Sequence, residues 1–316
     1  MSDIDRVLRS NLKLRHLQLV VALDEFRHLG RAAEFLSLTQ PAVSKALAEV
    51  ERMFGLDLFV RSTRGTEPTA YGQTVVRFAR SVLADFDRTR DEIGAVARGA
   101  AGRVRVGAMV VAVPGLLAAA VARLKAVSAQ TTVAVEEGDL TRLLPRLRVG
   151  ELDFIVGRLE PGYAAPDLST EALCAEPMRL IVAATDPLAA RQRVGWAELA
   201  TRPWVVPPVW ASSRVKLEQL FHRHGLNPPG DLIETASFLV TLTFVQQRQA
   251  VGFVAAGVAD HLERQRLAHA LPLRLPLELP AVGVITLRAS RTPPAAERLL
   301  AALRAEALTP PTRRRR

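Results

Sequence analysis

"SLTQPAVSKALAEVE", residues Ser37 to Glu51, decides how the rest of the chain is read. From Val43 onward the apolar spacing is helical, yet Thr-Gln-Pro stands in front of it, where a chain more often breaks. Thr39 is a good N-cap, because its hydroxyl accepts from the free amides of a first helical turn. Pro41 then falls in that first turn, where its missing N–H costs nothing and its fixed φ suits the helix. The tripeptide is therefore a start signal. Beyond it Val43, Ala46, Leu47, Val50 and Phe54 recur at helical spacing as an inward stripe. Gln40, Pro41, Ser44, Lys45 and Ala48 line the other face, polar at its start and sterically slim.

A slim polar face at a helix N-terminus fits the major groove, about 12 Å wide, where Gln pairs with adenine and Lys with guanine or phosphate. An ordinary solvated helix face has the same composition, so this helix alone leaves both readings open. Its neighbours favour the groove. "GRAAEFLSL", Gly30 to Leu38, is a short helix with Ala32 and Ala33 placed for close crossing, followed at once by the capped helix, the spacing of a helix-turn-helix. "LRHLQLVVALDEF" before it supplies Leu17, Val20 and Val21 to close a three-helix core. After Gly55, the alternation of Leu56, Leu58 and Val60 predicts a short strand. Arg61-Ser62-Thr63-Arg64-Gly65 then reads as a hairpin tip with two cations, a wing whose Arg61 and Arg64 meet DNA backbone or minor groove.

"AAEFLSLTQPAVSKALAEVERMFGLDLFVRSTRGTEPTAYG" resembles the DNA-binding signature of the LysR-type transcriptional regulators, over the first seventy or so residues almost without gaps. The resemblance implies that Thr39, Gln40, Pro41, Ser44 and Lys45 on the recognition helix and Arg61 and Arg64 on the wing contact DNA. Lys45 stands where relatives often carry arginine, a point charge in place of a fork, which weakens the implied bidentate guanine contact.

Thr69 caps a long helix in which Val75, Ala79, Val82, Phe86, Thr89, Ile93 and Val96 follow alternating steps of four and three, a coiled-coil seam. The same stripe on a single helix packs intramolecularly. Flanks rich in Arg, Asp and Glu favour a solvated two-stranded contact, hence a dimer on a pseudo-palindromic site. The expected order is a winged helix-turn-helix over 1–68, a linker and dimerisation helix over 69–99, a hinge at Ala97 to Gly102, and an effector domain over 103–316.

From Arg103 on, short apolar strands alternate with helices: "RVRVGAM", "TTVAVEE" and "DFIVG", then "MRLIVAA", "WVVPP" and "VGFVAA" after a linker near Glu160 to Ala175, with a late strand "AVGVITL" and a last helix from about Thr292 to Ala307. Alternation alone gives only an α/β class; its repeat after the linker implies two parallel lobes. The resemblance implies more: a two-lobed domain like a periplasmic binding protein, lobe I over 103–160 and 281–308, lobe II over 176–270, a basic tail over 309–316, and a small effector between the lobes. Ligands in open α/β sheets sit beyond the carboxyl ends of strands, where helix N-termini offer amides. That rule selects Met109, Val110, Val111 and Ala112; Glu137 and Gly138; Arg158; Pro208, Trp210, Ser212 and Ser213; and Thr235 and Ser237. Arg158 is either a carboxylate clamp or an exposed surface arginine. Ser212, Ser213 and Ser237 either donate to an effector or cap their helices. Relatives often carry Ser or Thr after the first strand; Val110, Val111 and Val113 there imply an effector that presents a hydrocarbon or aromatic part. "DFIVGRL" is similar to members that sense sugars or aromatic and carboxylic acids.

The 316 residues, 49% hydrophobic and 23% charged, allow two or three folded units with sizeable cores. The net charge of +10 raises the prior for an anionic partner, but residues 1 to 99 hold fifteen Lys/Arg against thirteen Asp/Glu, and Arg313 to Arg316 supply four of the excess, so bulk charge locates no site. A lone cysteine, Cys174, rules out an internal disulfide framework and points to a reducing compartment. Acidic residues after Leu17 to Leu23 argue against a signal peptide, and Pro114-Gly115 interrupts the longest apolar run, so a cytoplasmic protein is expected. G-x-S-x-G, G-x-x-x-x-G-K-[ST], G-x-G-x-x-G and H-E-x-x-H are all missing from the sequence, and His222 and His224 lie on different helix faces, so neither an enzyme nor a metal site nor a cofactor is expected. The expected partners are double-stranded operator DNA, a small effector, a second or fourth copy of the chain and RNA polymerase, with no membrane. The rival is a helix-turn-helix protein that responds to no effector; an effector-dependent change in DNA footprint or bend separates the two.

Overall fold

The structure is a computed structural model that describes residues 3–62, 65–97, 102–288 and 292–308. It divides into two compact units, one drawn from Met1–Arg98 with Arg148–Glu151, the other from Gly99–Leu147 and Leu152–Arg316.

The first unit opens with α1 (Asp3–Arg6), which runs into a π turn at Val7–Asn11, and then α2 (Leu14–Phe26), α3 (Leu29–Phe35) and α4 (Gln40–Phe54). Val43, Leu47 and Val50 of α4 are completely buried against Leu23 of α2 and Ala32 of α3, where the absence of side-chain bulk lets the helices cross closely. Burying a residue such as Leu47 contributes roughly 1.5–3 kcal/mol. Gly55, in the left-handed conformation at φ 65°, ends α4. The wing is an antiparallel hairpin of β1 (Phe59–Ser62) and β2 (Gly65–Pro68). Its strand begins later than the alternation of Leu56, Leu58 and Val60 predicts, and Val60 is exposed while Leu58 and Phe59 are buried. The chain enters the hairpin through hydrogen bonds from the Leu58 and Phe59 amides to the Glu51 Oε1 of α4, at 2.9 and 3.1 Å, which reset the phase by one residue.

The long helix α5 (Ala70–Ala97) starts where the Gly72 amide donates to Thr69 Oγ1 at 3.0 Å. A Cβ on Gly72 would stand 1.9 Å from the Leu58 carbonyl oxygen, so only glycine lets the helix approach the wing this closely. The predicted seam divides in two. Ala79 is buried in the first unit's core, with Val75 and Val82 packed against it, so the front half is an intramolecular face. Phe86, Thr89 and Ile93 are exposed, as are Tyr71 and Phe78. Sequence spacing specifies a stripe but not what covers it. The Val96 side chain, Arg64 and most of the predicted hinge lie outside the described residues, as does the basic tail.

The second unit holds two five-stranded sheets. In lobe I, β3 (Arg103–Ala108), β4 (Thr132–Glu137), β5 (Phe154–Arg158), β6 (Leu168–Cys174) and β12 (Val282–Leu287) stand in the order β4-β3-β5-β12-β6. In lobe II, β7 (Met178–Ala183), β8 (Trp204–Val206), β9 (Leu232–Glu234), β10 (Val251–Ala255) and β11 (Ala268–Ala270) stand in the order β11-β7-β10-β8-β9. The lobes are mixed, not parallel: β12 runs antiparallel to β5 and β6, and β7 antiparallel to β10 and β11. Each antiparallel pairing involves a strand next to a crossing between the lobes, made once through residues 175–177 and again through residues 271–281. The expected linker near Glu160 to Ala175 contains β6, an integral lobe I strand.

Helices α6 (Ala118–Val127), α7 (Leu140–Arg148) and α12 (Pro294–Leu308) serve lobe I; α8 (Trp196–Ala200), α9 (Ser212–Arg223), α10 (Phe238–Gln247) and α11 (Ala256–Arg264) serve lobe II. Pro114-Gly115 does not interrupt the apolar run. A 3-10 turn at Val110–Ala112 and a π turn at Val113–Leu117 carry the chain through it into α6, because a proline in the opening turns has no amide partner to lose. Val110–Val127 is thus long and apolar enough to cross a bilayer by length and composition. Here Ala112, Leu116, Leu117, Ala120 and Leu124 place it in the lobe I core with α12.

Candidate functional site

Two constellations stand out, one in each unit. In the first, α4 presents its leading edge to solvent. Thr39 is extended at φ −84° and ψ 151°, and its Oγ1 accepts from the Ala42 amide at 3.4 Å, with Pro41 in the first turn. Gln40, Pro41, Lys45 and Ala48 are exposed and Ser44 is half-buried. From the wing, Arg61 Nη1 donates to Ser44 Oγ at 3.0 Å, so strand and helix meet through the two polar residues that sequence spacing singled out separately. The Thr66 amide of β2 donates to the Arg27 carbonyl at the end of α2, which fixes the other side of the hairpin. Sequence reasoning passed over Glu51, whose carboxylate sets the wing's position; its place near the end of α4 beside Arg52 gives no local sign that the partners are seven and eight residues on.

The geometry exposes a row of donors and acceptors on a helix N-terminus beside a hairpin bearing a guanidinium. Such a surface can offer hydrogen bonds to base edges and phosphates.

In the second unit a cavity of about 270 Å³ opens between the lobes. Met109, Val110, Val111, Gly138, Arg158, Pro208, Trp210, Ser213 and Thr235 line it, as does Glu137. Ala112, Ser212 and Ser237 are not among its lining residues. Ala112 is buried in the lobe I core, Ser237 Oγ accepts from the Val240 amide at 3.4 Å as the cap of α10, and Ser212 Oγ donates to Glu160 Oε1 at 3.0 Å. Sequence reasoning missed Asp139, Arg142, Glu160, Phe238 and the end of β10 at Phe253 to Ala255. The carboxyl-end rule that found the other strand ends reaches Ala255 when applied to "VGFVAA" as well.

Arg158 is neither an exposed surface arginine nor a free clamp. It is 4% exposed, and its Nη1 donates to the Pro280 carbonyl at 2.6 Å and its Nη2 to the Glu176 carbonyl at 2.8 Å. Those carbonyls lie on the two chain crossings between the lobes, so one guanidinium ties both. Burial holds its pKa below the ordinary arginine range, against the pull of Glu160 and Glu176. Burial also pushes the Glu176 carboxyl up, although the Gly257 amide at the start of α11 donates to its Oε1 at 2.6 Å. The half-buried Cys174 thiol beside them is raised by burial and by Glu176. Among the described residues no cluster of His, Cys, Asp and Glu has the arrangement of a metal site.

Comparison with known proteins gives these two constellations a common context. Residues 14–73 match the family described as bacterial regulatory helix-turn-helix protein, lysR family, and residues 97–308 match the LysR substrate binding domain. The chain is 33% identical over 301 residues to the HTH-type transcriptional regulator GbpR of Azospirillum brasilense, covering 94% of this chain and 87% of that protein. It is 31% identical over 294 residues to the HTH-type transcriptional regulator GalR of Pseudomonas putida, covering 92% of this chain and 73% of that one. In fold it resembles the crystal structure of CbnR, a LysR family transcriptional regulator, with a TM-score of 0.71 at 19% identity over 94% of this chain and 99% of that one.

Proposed function

Because the chain belongs to the LysR family of transcriptional regulators, we propose that α4 and the wing read an operator sequence and that a small molecule held between the two lobes controls the outcome. The observation that carries this reading is the Arg61–Ser44 hydrogen bond, which presents wing and helix as one polar surface beside the exposed Gln40 and Lys45. In it Thr39, Gln40, Pro41, Ser44 and Lys45 enter the major groove, Gln40 pairs with adenine, and Arg61 contacts the phosphates or the minor groove. Arg64, outside the described residues, joins Arg61 on sequence grounds. The protein acts in the cytoplasm as a dimer or a dimer of dimers. Exposed Phe86 and Ile93 support a contact between copies through α5, since isolated large apolar residues repeated along a helix are what a partner helix covers. RNA polymerase as a further contact rests on the family resemblance.

The effector biases lobe arrangements already accessible to the free protein and so alters how the paired units engage DNA. Met109, Val111, Trp210, Phe238 and Phe253 give it an apolar wall, as the valines after the first strand require. The test is footprinting of the full chain on DNA upstream of its neighbouring genes. Gln40→Ala is expected to weaken binding to the true operator by about 1–3 kcal/mol and to relax one base position. Metabolites of the adjacent pathway should change the footprint, and Val111→Trp, which fills the cavity, should abolish that change. A footprint indifferent to Gln40 refutes the readout; a response that survives Val111→Trp refutes the pocket.

A further inference from the structure

The contacts between the two lobes differ in how they respond to movement. Val111, on the turn after β3, packs against the cores of both lobes, a non-directional contact that tolerates sliding. Arg158 donates to the Pro280 and Glu176 carbonyls, and the Ala256 and Gly257 amides donate to the Pro177 carbonyl and Glu176 Oε1. Those bonds end on the chain crossings, which turn with the hinge, so they constrain the angle between the lobes little. The bond from Ser212 Oγ to Glu160 Oε1, at 3.0 Å, is different, because it joins the turn after β5 of lobe I directly to the first turn of α9 in lobe II. Both of its ends are fixed. The Glu160 amide donates to the Arg158 carbonyl at 3.0 Å, and its carbonyl accepts from the Tyr163 amide at 3.1 Å. On the other side the Ala211 amide donates to the Pro208 carbonyl at 3.0 Å, and the buried Arg214 of α9 is held by Glu218 at 2.7 Å and Glu234 at 3.0 Å. With neither end free to follow, a relative shift of the lobes by about 1 Å takes the pair out of hydrogen-bond range.

We infer that the Ser212–Glu160 bond is a clasp: it holds the lobes in the arrangement seen here, and its release opens the cavity. Ser212 then acts on the lobes and not on an effector, in keeping with its place outside the cavity wall. Glu160 stands in that wall, so an occupant that draws its carboxylate inward lengthens the bond and shifts the population toward the open arrangement. Control of DNA engagement by this route rests on the reading of the cavity as the effector site, whereas the clasp itself does not. A hydrogen bond to a carboxylate is of the stronger, charge-assisted kind, so its loss should shift the ratio of open to closed arrangements roughly tenfold.

Trp210 reports the arrangement, since it lies in the cavity wall and is 39% exposed while Trp204 is completely buried. The full-length protein, free of DNA and effector, is titrated with acrylamide, and subtracting the signal of each variant in a Trp210→Phe background isolates this residue. Ser212→Ala and Glu160→Ala should each raise its quenching, and the double variant should raise it no further, because one and the same bond is lost in all three. Ser212→Thr, which keeps the hydroxyl, should match the wild type. Unchanged quenching in both alanine variants overturns the inference, as do additive rises in the double variant. So does an equal rise in the Trp210→Phe background, where Trp196 and Trp204 remain, because that marks loosening of lobe II and not opening between the lobes. On DNA upstream of the neighbouring genes, effector-free Ser212→Ala should give a footprint distinct from that of the wild type; an identical footprint overturns the clasp as a control of DNA engagement. The pocket reading fails separately, through a metabolite response that survives Val111→Trp.

Discussion

Replacing Arg158 by methionine removes two hydrogen bonds to carbonyls and a weaker one to Met178 Sδ at 3.8 Å, with little loss of packing. The Pro280 and Glu176 carbonyls, reached at 2.6 and 2.8 Å, lose their donor in a region where the arginine is 4% exposed. Leaving a buried acceptor unsatisfied costs about 1–3 kcal/mol, so the pair carries roughly 2–6 kcal/mol. Relief from burying a guanidinium offsets part of that, and the net expected loss is about 2–3 kcal/mol. In a unit of this size each kcal/mol lowers the melting temperature by roughly 2–4 °C, a fall of about 4–12 °C. All three tryptophans, Trp196, Trp204 and Trp210, lie in lobe II, so the fluorescence of the full chain follows this unit during thermal or urea unfolding. Arg158→Lys should fall between the two, because one ammonium cannot span both carbonyls. An unchanged ligand-free midpoint in Arg158→Met would refute the reasoning and restore Arg158 as a residue that acts only on a ligand.

Three further outcomes are expected. His16 is buried in α2, its Nδ1 accepts from the Lys13 amide at 3.2 Å, and burial holds its pKa below 6.5 despite Glu49. The unfolded chain therefore binds the proton more readily, and the His16 contribution is fully present above about pH 6.5 and lost as pH falls below it, with a slope of at most about 1.4 kcal/mol per pH unit. Hydrogen exchange of the Leu17 to Leu23 amides, wild type against His16→Gln, checks this; equal pH slopes would count against it. Gly72→Ala should destabilise the first unit by several times the roughly 1 kcal/mol that the same change gains in a free helix, because its Cβ would meet the Leu58 carbonyl at 1.9 Å. Denaturant titration monitored by circular dichroism measures it, and a stabilised variant contradicts the helix–wing approach. Ile93→Asp should shift the full chain toward monomer in sedimentation velocity, whereas an unaltered distribution would place the contact between copies elsewhere.

The parts of the fold that were legible in the sequence are those whose causes are local. Thr39, Pro41 and the Val43, Leu47, Val50 stripe specify α4 within one helix, and the same holds for Thr69 before α5. Errors arose where a partner is remote. The Val75, Ala79 and Val82 spacing is equally satisfied by a second chain or by the unit's own core, and the core covers it. The wing register shifted because Glu51 captures two amides. Strand β6 was hidden in an apparent linker because its pairing strand, β12, comes over a hundred residues later. Nothing near Arg158 in the sequence announces carbonyls 18 and 122 residues away, so its burial was not legible. The rule of strand ends still gathered most of the cavity, because it depends on topology rather than on particular contacts.

On the proposed reading of α4, the Glu51 and Arg61 hydrogen bonds brace the hairpin against that helix from both ends before any DNA arrives. A braced reader cannot reshape itself to a badly fitting groove, so the compliance needed at contact has to come from the duplex. Base pairs that neither element touches then still matter through their stiffness, and operators with easily deformed steps beneath the wing will outcompete rigid tracts bearing identical contacted bases.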